Sequence, residues 1–332
     1  MQAACDVDTD QLATTLSRDA RPSRLHLNGT RAIVPRQQSE IMANWGAESE
    51  PLVSICTLTF EHAAFLRQSL DSLLAQETDF PFEILIHDDA STDGTTDIVQ
   101  EYVESYPKIV RAVIQTQNQY STTGGMIAAR FLFPKARGEY IALCEGDDFW
   151  ADPGKLQKQV DFLRANPAYV ITYGPAISID KQGEVSGPTH GLVRDVSAVE
   201  LRRGVNLNTL TTCFRNKLPE IHGDLRAARL GDVVHWSLLG EFGAGKFLSD
   251  VGPSYYRIHE GGIHSTASLR QKRINTMITF NALSAFYFRK GERDTAIFLM
   301  LRSAHLAWKI AGWREITGYI LKGVRSKFTK RG

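Results

Sequence analysis

Between residues 51 and 167, short apolar runs alternate with segments whose apolar residues recur at helical spacing. The apolar runs are Leu52 to Thr59, Glu83 to His87, Ile109 to Gln115 and Tyr140 to Cys144. Their length and composition are typical of buried strands, and the segments between them favour amphipathic helices. This repetition of strand and helix predicts an α/β fold in which a mostly parallel sheet is flanked by helices.

The sequence on either side of this segment is less regular. Residues 1–50 are polar and lack sustained periodicity, so we expect an N-terminal extension that is largely disordered. We expect residues 51–264 to form one domain, with a regular half at 51–167 and a less regular half at 168–264. Residues 265–332 predict a basic helical region, in which the sequences RKGER and AGW separate three helices.

Composition excludes few classes of protein. The net charge of +1 gives no overall attraction to nucleic acid, and the four cysteines are far apart without metal-ligand spacing. No apolar stretch approaches the roughly 18 residues of a membrane-spanning helix, and the N-terminus lacks the order of a secretory signal. We therefore expect a cytoplasmic protein. Residues 301–332 contain eight Lys or Arg and one Glu, which fits peripheral contact with the inner face of the cell membrane, or equally a solvated helix face.

Acidic residues follow two of the predicted strands. Asp88 and Asp89 come after the second apolar run, and Glu145, Asp147 and Asp148 come after the fourth. In an open parallel sheet, ligands bind beyond the carboxyl ends of the strands. Carboxylates without nearby His or Cys suit Mn²⁺ or Mg²⁺ together with substrate phosphates. Each cluster taken alone is also typical of a solvated turn or a helix start.

Three segments together resemble glycosyltransferase family 2. They are LVSICTLTFEHAAFLRQSLDSLLAQ, EILIHDDASTDGTTDIV and ARGEYIALCEGDDFWADPGKLQKQVDFL. The resemblance implies an inverting enzyme of the GT-A fold, with a Rossmann-like sheet, that uses a nucleotide-diphosphate sugar and Mn²⁺ or Mg²⁺. Its acceptor would be a glycan or a lipid-linked molecule, in surface polysaccharide or lipopolysaccharide biosynthesis.

The resemblance also assigns residues 51–167 to the nucleotide sugar and residues 168–264 to the acceptor, and it assigns individual residues to the nucleotide. Thr59 and Glu61 lie where the base and ribose are usually met. Asp89 matches the aspartate that contacts the base, with Asp88 as its neighbour, and Arg130 matches a basic residue that meets the nucleotide.

The sequence EGDD matches the family pattern DxDD, with Glu145 in place of the first aspartate. Glu145 and Asp147 are therefore expected at the nucleotide sugar, and Asp147 and Asp148 at the metal. The segment YYRIHEGG resembles one whose histidine completes the metal site, which makes His259 the third ligand, with His264 as the alternative.

The catalytic base is expected in the second half of the domain. LGDVVHWSLLGEFG resembles the family's acid-then-helix segment, so Asp232 is assigned as the base, with Asp224 as the alternative. An aspartate at this position also commonly caps its helix.

Other functions fit the sequence less well. A nucleotidyltransferase typically has a loop rich in Gly and Lys or Arg after the first strand, and TFEHAAF contains neither Gly nor Lys. A hydride-transferring Rossmann enzyme would need GxGxxG there. A non-catalytic carbohydrate-binding or scaffolding protein on the same fold remains the alternative, although Asp147, Asp148 and Asp232 are all present.

Overall fold

The structure is a computed structural model that describes residues 36–46, 50–187, 191–217, 219, 221, 223–262 and 267–328, with the backbone alone at 123 and 312–328. The strands are β1 Val53–Thr59, β2 Phe82–Asp88, β3 Val110–Ile114, β4 Tyr140–Leu143, β5 Phe149–Trp150, β6 Tyr169–Tyr173, β7 Ala176–Ile179, β8 Cys213–Arg215, β9 Ala244–Phe247 and β10 Ser254–Arg257. The helices are α1 Gln38–Met42, α2 Leu66–Leu74, α3 Thr95–Ser105, α4 Gln119–Thr123, α5 Ile127–Phe131, α6 Lys155–Ala165, α7 Ala198–Arg202, α8 Gly231–Leu239, α9 Leu269–Lys290 and α10 Arg293–Phe328. Short 3₁₀ turns lie at Phe133–Lys135, Thr209–Thr211 and Gly223–Ala227.

A seven-stranded sheet forms the centre of the protein, in the order β3-β2-β1-β4-β8-β6-β9. The first four strands in this order are parallel to one another. Strand β8 lies between β4 and β6 and is antiparallel to both. Every residue of β2 is buried, including the polar Glu83, His87 and Asp88, so this strand does not alternate between buried and exposed residues. The predicted α/β class, with a mostly parallel sheet flanked by helices, is confirmed.

A second, three-stranded sheet has the order β5-β10-β7. Its strand β5 begins one residue after Asp148, and β10 pairs with it through Tyr255 and Phe149. The rings of these two residues stack with their centroids 4.8 Å apart. This pairing brings the chain after residue 250 back beside the acidic cluster that ends β4.

The C-terminal helical region differs from the prediction. The break expected at AGW is absent, because α10 runs without interruption from Arg293 to Phe328. A glycine inside a helix costs only about 1 kcal/mol and does not end it as a proline would. The break at RKGER is present: α9 ends at Lys290, and Gly291 adopts φ 85°.

Part of the predicted N-terminal extension is ordered. Helix α1 lies within residues 1–50, and its Ile41 is 2% exposed in the main core. Trp45 packs edge-on against Phe82 of β2, with ring centroids 5.3 Å apart. Residues 1–35 lie outside the described part of the chain.

No helix within the described ranges combines the length and the apolar character needed to cross a bilayer.

Candidate active site

A carboxylate and two imidazoles meet at the carboxyl edge of the central sheet. Asp147 Oδ2 lies 3.0 Å from His259 Nε2 and 3.7 Å from His62 Nε2. One ligand atom from each residue falls within 4.8 Å of the other two. Asp147 follows β4, His62 follows β1 and His259 follows β10, so three distant segments supply the group.

Burial and the interaction between neighbouring charges both shift the pKa values of Asp147 and His62. Burial alone would raise the pKa of Asp147, but the hydrogen bond from His259 and the charge of His62 lower it instead. Burial lowers the pKa of His62, against the opposing effect of Asp147. His62 Nδ1 is buried and has no hydrogen-bond partner among the described residues.

These residues fit a divalent ion. One ligand atom from each residue lies close enough to the others for a single ion, and two imidazoles with one carboxylate suit Mn²⁺ better than the harder Mg²⁺. Asp147 and His259 were predicted as metal ligands, and the structure brings them together. His62 was missed, although it stands in TFEHAAF directly after the first strand, where a polar residue can reach the ligand edge.

Asp148 points elsewhere. Its Oδ1 accepts a hydrogen bond from the Arg257 amide at 2.8 Å, and the residue is 2% exposed. Gly146 and Asp147 lie in a turn that the Asp148 amide closes by donating to the Glu145 carbonyl oxygen at 3.1 Å. Burial, followed by the charges of Asp147 and Glu145, raises the pKa of Asp148, against the effect of Arg257. The assignment of Asp148 as a metal ligand stays a prediction, and the described group of three does not include it.

Arg257 is the cation that stabilises the acidic cluster. Its Nε donates to the Asp147 carbonyl oxygen at 2.9 Å, and its guanidinium donates to Gln68 Oε1 at 2.6 Å. The guanidinium also lies 4.7 Å from the centre of the Phe65 ring. With 4% of its surface exposed, Arg257 is a buried countercharge that offsets part of the cost of placing three acids together. It too was missed from the sequence.

Glu145 connects this group to the predicted catalytic base. Burial raises the pKa of Glu145 to about 7, and the negative charges of Asp147 and Asp232 add to that shift, while a hydrogen bond from Thr209 opposes it. Because the charge of Asp232 raises the pKa of Glu145, the Asp232 carboxylate lies near Glu145. One oxygen of Glu145 is buried without a hydrogen-bond partner among the described residues.

Asp232 is half-buried in the first turn of α8. Burial raises the pKa of Asp232, although the Val233 amide partly stabilises the charged form. The alternative base, Asp224, pairs with Arg289 instead. The other alternative from the sequence, His264 at the metal, lies outside the described residues.

Gly146 permits the close approach of β1 to the acidic cluster. A Cβ atom at this position would lie 2.9 Å from both Cβ and Oγ1 of Thr59. Thr59 is 3% exposed, and its Oγ1 has no hydrogen-bond partner among the described residues. The hydroxyl of Thr59 therefore stands at the same edge as Asp147, where a ligand could bind it.

The residues predicted to meet the nucleotide form a second group, around the ends of β1 and β2. Glu61 Oε1 accepts from the Thr92 amide at 2.8 Å, and Glu61 itself adopts φ 55°. Asp88 is fully buried and accepts from the hydroxyls of Ser91 and Thr96. These contacts join the two loops that follow β1 and β2.

Both carboxylate oxygens of Asp89 are bound by the backbone. They accept from the Gln119 amide at 2.7 Å and the Tyr120 amide at 2.9 Å, at the start of α4. Arg130 lies on α5 and is exposed, with its guanidinium 5.5 Å from the Phe131 ring centre. The roles of these residues at a nucleotide stay predictions.

Comparison with known proteins gives one family. The model described as "Glycosyl transferase family 2" matches residues 54–226, which is more than half of the chain. An uncharacterised protein of Mycobacterium tuberculosis is 32% identical over 225 residues, which cover 66% of this chain and 63% of that protein. The match thus spans less than two thirds of that relative's length. Bacillus subtilis TuaG, provisionally named a teichuronic acid biosynthesis glycosyltransferase, is 34% identical over 37% of this chain and 44% of its own.

Solved structures share the fold. Staphylococcus aureus TarS residues 1–349, in complex with UDP-GlcNAc, superpose with a TM-score of 0.55 at 17% identity, covering 75% of this chain and 72% of that one. The mannosyltransferase PcManGT of Pyrobaculum calidifontis, in complex with GDP-Man and Mn²⁺, gives 0.50 at 17% identity, with coverages of 84% and 81%. These likenesses confirm the GT-A class of the fold.

Proposed function

Because the chain belongs to glycosyl transferase family 2, we propose that it is a metal-dependent inverting glycosyltransferase. It moves a sugar from a nucleotide-diphosphate donor, with a UDP-sugar favoured, to a hydroxyl of a glycan or lipid-linked acceptor. The observation that carries the proposal is the group of Asp147, His62 and His259 at the carboxyl edge of the sheet, linked electrostatically through Glu145 to Asp232. TarS with UDP-GlcNAc and PcManGT with GDP-Man and Mn²⁺ support a nucleotide-sugar donor and a metal.

Asp147, His62 and His259 would hold the ion, Mn²⁺ or Mg²⁺. Bound there, the ion supplies Lewis-acid stabilisation of the negative charge that develops on the leaving diphosphate. Arg257 keeps Asp147 in position by binding its carbonyl oxygen, so the carboxylate stays directed at the imidazoles. The exclusion of water from this half-buried edge strengthens each of these interactions.

Asp232 acts as the general base in this proposal. Its carboxylate accepts the proton of the acceptor hydroxyl while that oxygen forms a bond to the anomeric carbon. The bond from the anomeric carbon to the diphosphate oxygen breaks in the same step, and the nucleoside diphosphate leaves with the electron pair. One displacement inverts the anomeric centre without a covalent sugar–enzyme intermediate. The raised pKa of Asp232 suits this role, because a base is most effective when its pKa approaches the working pH.

The nucleoside would bind along Thr59, Glu61, Asp88, Asp89 and Arg130. Asp89 would contact the base by exchanging its hydrogen bonds from the backbone of α4 for bonds from the ligand. Binding of the nucleotide therefore involves movement of α4, which begins at Gln119. Thr59 Oγ1 already lies at this edge without a partner among the described residues.

The C-terminal region would lie against the inner face of the cell membrane. Along α10, the side chains of Ile297, Met300, Leu301 and Trp308 are between 36% and 61% exposed. Their spacing places them on one side of the helix, and the sequence after residue 300 is rich in Lys and Arg. An apolar face with basic residues favours contact with an anionic bilayer, where a lipid-linked acceptor would be available. The name of TuaG supports a role in surface polysaccharide assembly.

Calorimetry tests the proposal directly. UDP, GDP and dTDP are titrated with and without Mn²⁺ into the wild type, Asp147→Ala and the control Asp161→Ala, in which an exposed aspartate of α6 is removed. We expect one nucleotide to bind in a Mn²⁺-dependent manner to the wild type and the control, and the binding to be lost in Asp147→Ala. If no nucleotide binds the wild type in either condition, the transferase proposal fails, and a scaffolding role on this fold replaces it.

A further inference from the structure

A cavity lies outside the metal group, on the side of the protein where helix α9 meets the sheet domain. Its volume is about 880 Å³, and its walls come from α4, the turn at Gly223–Ala227 and α9. Hydrogen-bonding side chains line most of it, among them Tyr120, Arg226, Arg229, Gln271 and Asn275.

The cavity is adjacent to Asp232. Gly125, in its wall, is so close to the chain before α8 that an added Cβ would lie 2.9 Å from the Arg229 carbonyl oxygen and 3.7 Å from the Gly231 amide nitrogen. The next residue is Asp232. Thr279 of α9 fixes this segment, because its hydroxyl accepts from the Arg229 amide at 3.1 Å and the Leu230 amide at 3.0 Å. Asp232 itself does not line the cavity, but a molecule bound there would contact the segment that leads directly into the residue that we assign as the base.

The cavity is positively charged, in contrast to the acidic edge of the sheet. Arg226 and Arg229, both exposed to solvent, are among its lining residues, and its described lining contains no Asp or Glu. Asp224, the acid on the same turn as Arg226, pairs with Arg289. Within the part of the chain that the structure describes, Arg226 and Arg229 form no ion pair of their own. The Arg229 guanidinium lies over Gly124, where an added Cβ would be 2.8 Å from one of its nitrogens.

Binding a neutral sugar hydroxyl does not require two arginines that form no ion pair among the described residues. A phosphate or carboxylate, in contrast, forms strong charge-assisted hydrogen bonds with guanidinium groups. We propose that this cavity is the acceptor subsite, and that it selects an acceptor that carries an anionic group, a phosphate or a carboxylate, near the hydroxyl that receives the sugar. Arg226 and Arg229 bind the anion, and Gln271 and Asn275 offer amide groups to neighbouring hydroxyls. The inference rests on the proposed transferase function and adds the chemical class of the acceptor.

Binding measurements on the full chain test the subsite separately from the donor site. With UDP and Mg²⁺ at saturation, so that phosphate cannot occupy the donor site, three probes are titrated at millimolar concentration: glucose 1-phosphate, glucuronic acid and methyl glucoside. We expect glucose 1-phosphate or glucuronic acid to bind at least about tenfold more tightly than methyl glucoside, as two charge-assisted contacts would give. Whichever anion binds better identifies phosphate or carboxylate as the natural group.

The matched variants are Arg226→Gln with Arg229→Gln in one chain, and Arg270→Gln alone as the control. Arg270 is exposed in the first turn of α9 next to Gln271 but does not line the cavity, so its replacement changes the charge nearby without changing the subsite. We expect the double variant to lose the preference for the anion and to bind UDP as the wild type does, while the control keeps both.

Three results would overturn the inference. The first is equal binding of the anions and methyl glucoside, or no binding of either anion. The second is an unchanged anion preference in the double variant. The third is loss of UDP binding in the double variant, which would assign the arginines to the donor and leave the transferase proposal standing. Failure of the wild type to bind UDP, GDP or dTDP refutes the transferase proposal instead, and the anion titrations, repeated without nucleotide, still decide whether the arginines bind anions.

Discussion

Replacing Glu83 by glutamine is expected to destabilise the protein by about 2–4 kcal/mol at neutral pH, because a buried ion pair would lose its anion. Glu83 lies in β2, and its carboxylate is 1% exposed. One oxygen accepts from Ser54 Oγ at 2.7 Å and the Arg137 amide at 2.9 Å. The other accepts from Arg111 at 2.9 Å and from two nitrogens of Arg137 at 2.9 Å and 2.8 Å.

The magnitude follows from the second oxygen. In Glu83→Gln the first oxygen keeps its two partners, but an amide NH₂ group then faces the guanidiniums of Arg111 and Arg137. Hydrogen bonds to charged groups contribute about 1.5–3 kcal/mol each. Both arginine side chains are 44% exposed, so water replaces part of what they lose when the carboxylate is removed. The loss of stability is therefore smaller than the sum of the three hydrogen-bond contributions.

The effect depends on pH in a defined direction. Burial would raise the pKa of Glu83, but the hydrogen bonds from Arg137, Ser54 and Arg111 together hold it below the usual value of 4.5. The carboxylate therefore stabilises the fold fully at pH values above 4.5, and this contribution is lost as the pH falls through the lower folded-state pKa. The difference between wild type and variant should be constant near neutrality and should shrink in acid.

Urea unfolding followed by tryptophan fluorescence measures this difference across the pH range. Glu139→Gln is the control, because this carboxylate is 64% exposed and 3.8 Å from Arg215, and a surface pair of this kind contributes less than about 0.5 kcal/mol. Equal unfolding midpoints for Glu83→Gln and the wild type at neutral pH would refute the argument. So would a difference that persists undiminished in strong acid.

Three further predictions concern the candidate site. Gly146→Ala should lower the free energy of unfolding by about 1–3 kcal/mol through overpacking against Thr59, and unchanged urea midpoints would contradict this. His62→Asn should weaken Mn²⁺ binding in calorimetry by about tenfold or more, since even residues that only support metal ligands contribute that much. The control is His305→Asn, which changes an exposed histidine. Equal Mn²⁺ affinities of His62→Asn and the wild type would exclude His62 as a ligand. Asp232→Asn should reduce the rate of sugar transfer by about 10²–10⁴-fold while UDP binding is kept. Burial raises the pKa of Asp232, so the wild-type rate should begin to fall with acid at a pH above the ordinary aspartate range.

The sequence predicts well what depends on neighbouring residues. The apolar runs that became β1, β2 and β4 could be assigned because burial on both faces favours apolar residues along the strand, whereas β3 has only Val110 buried. The positions of Asp88 and Asp147 followed directly, since each comes at the end of such a run. The resemblance then supplied roles that no periodicity could show.

Contacts between distant segments could not be predicted in this way. Arg257 donates to Asp147 across 110 residues of sequence, and in YYRIHEGG nothing distinguishes a buried countercharge from a solvated arginine. His62 stands alone in its loop, and it becomes a candidate ligand only when β10 brings His259 to the same edge. The single helix α10 was divided by the prediction, although one glycine costs a helix only about 1 kcal/mol and does not end it.

The metal group also has an order of assembly. His62 and Asp147 are synthesised with the first half of the domain. Arg257, which supplies the countercharge, and His259 are synthesised only with β10 and the residues after it. Until β10 pairs with β5, the nascent chain holds an acidic cluster without its cation and a metal group without one of its imidazoles. A chain that stops short of β10 can therefore contain the whole parallel part of the sheet and still lack this arrangement.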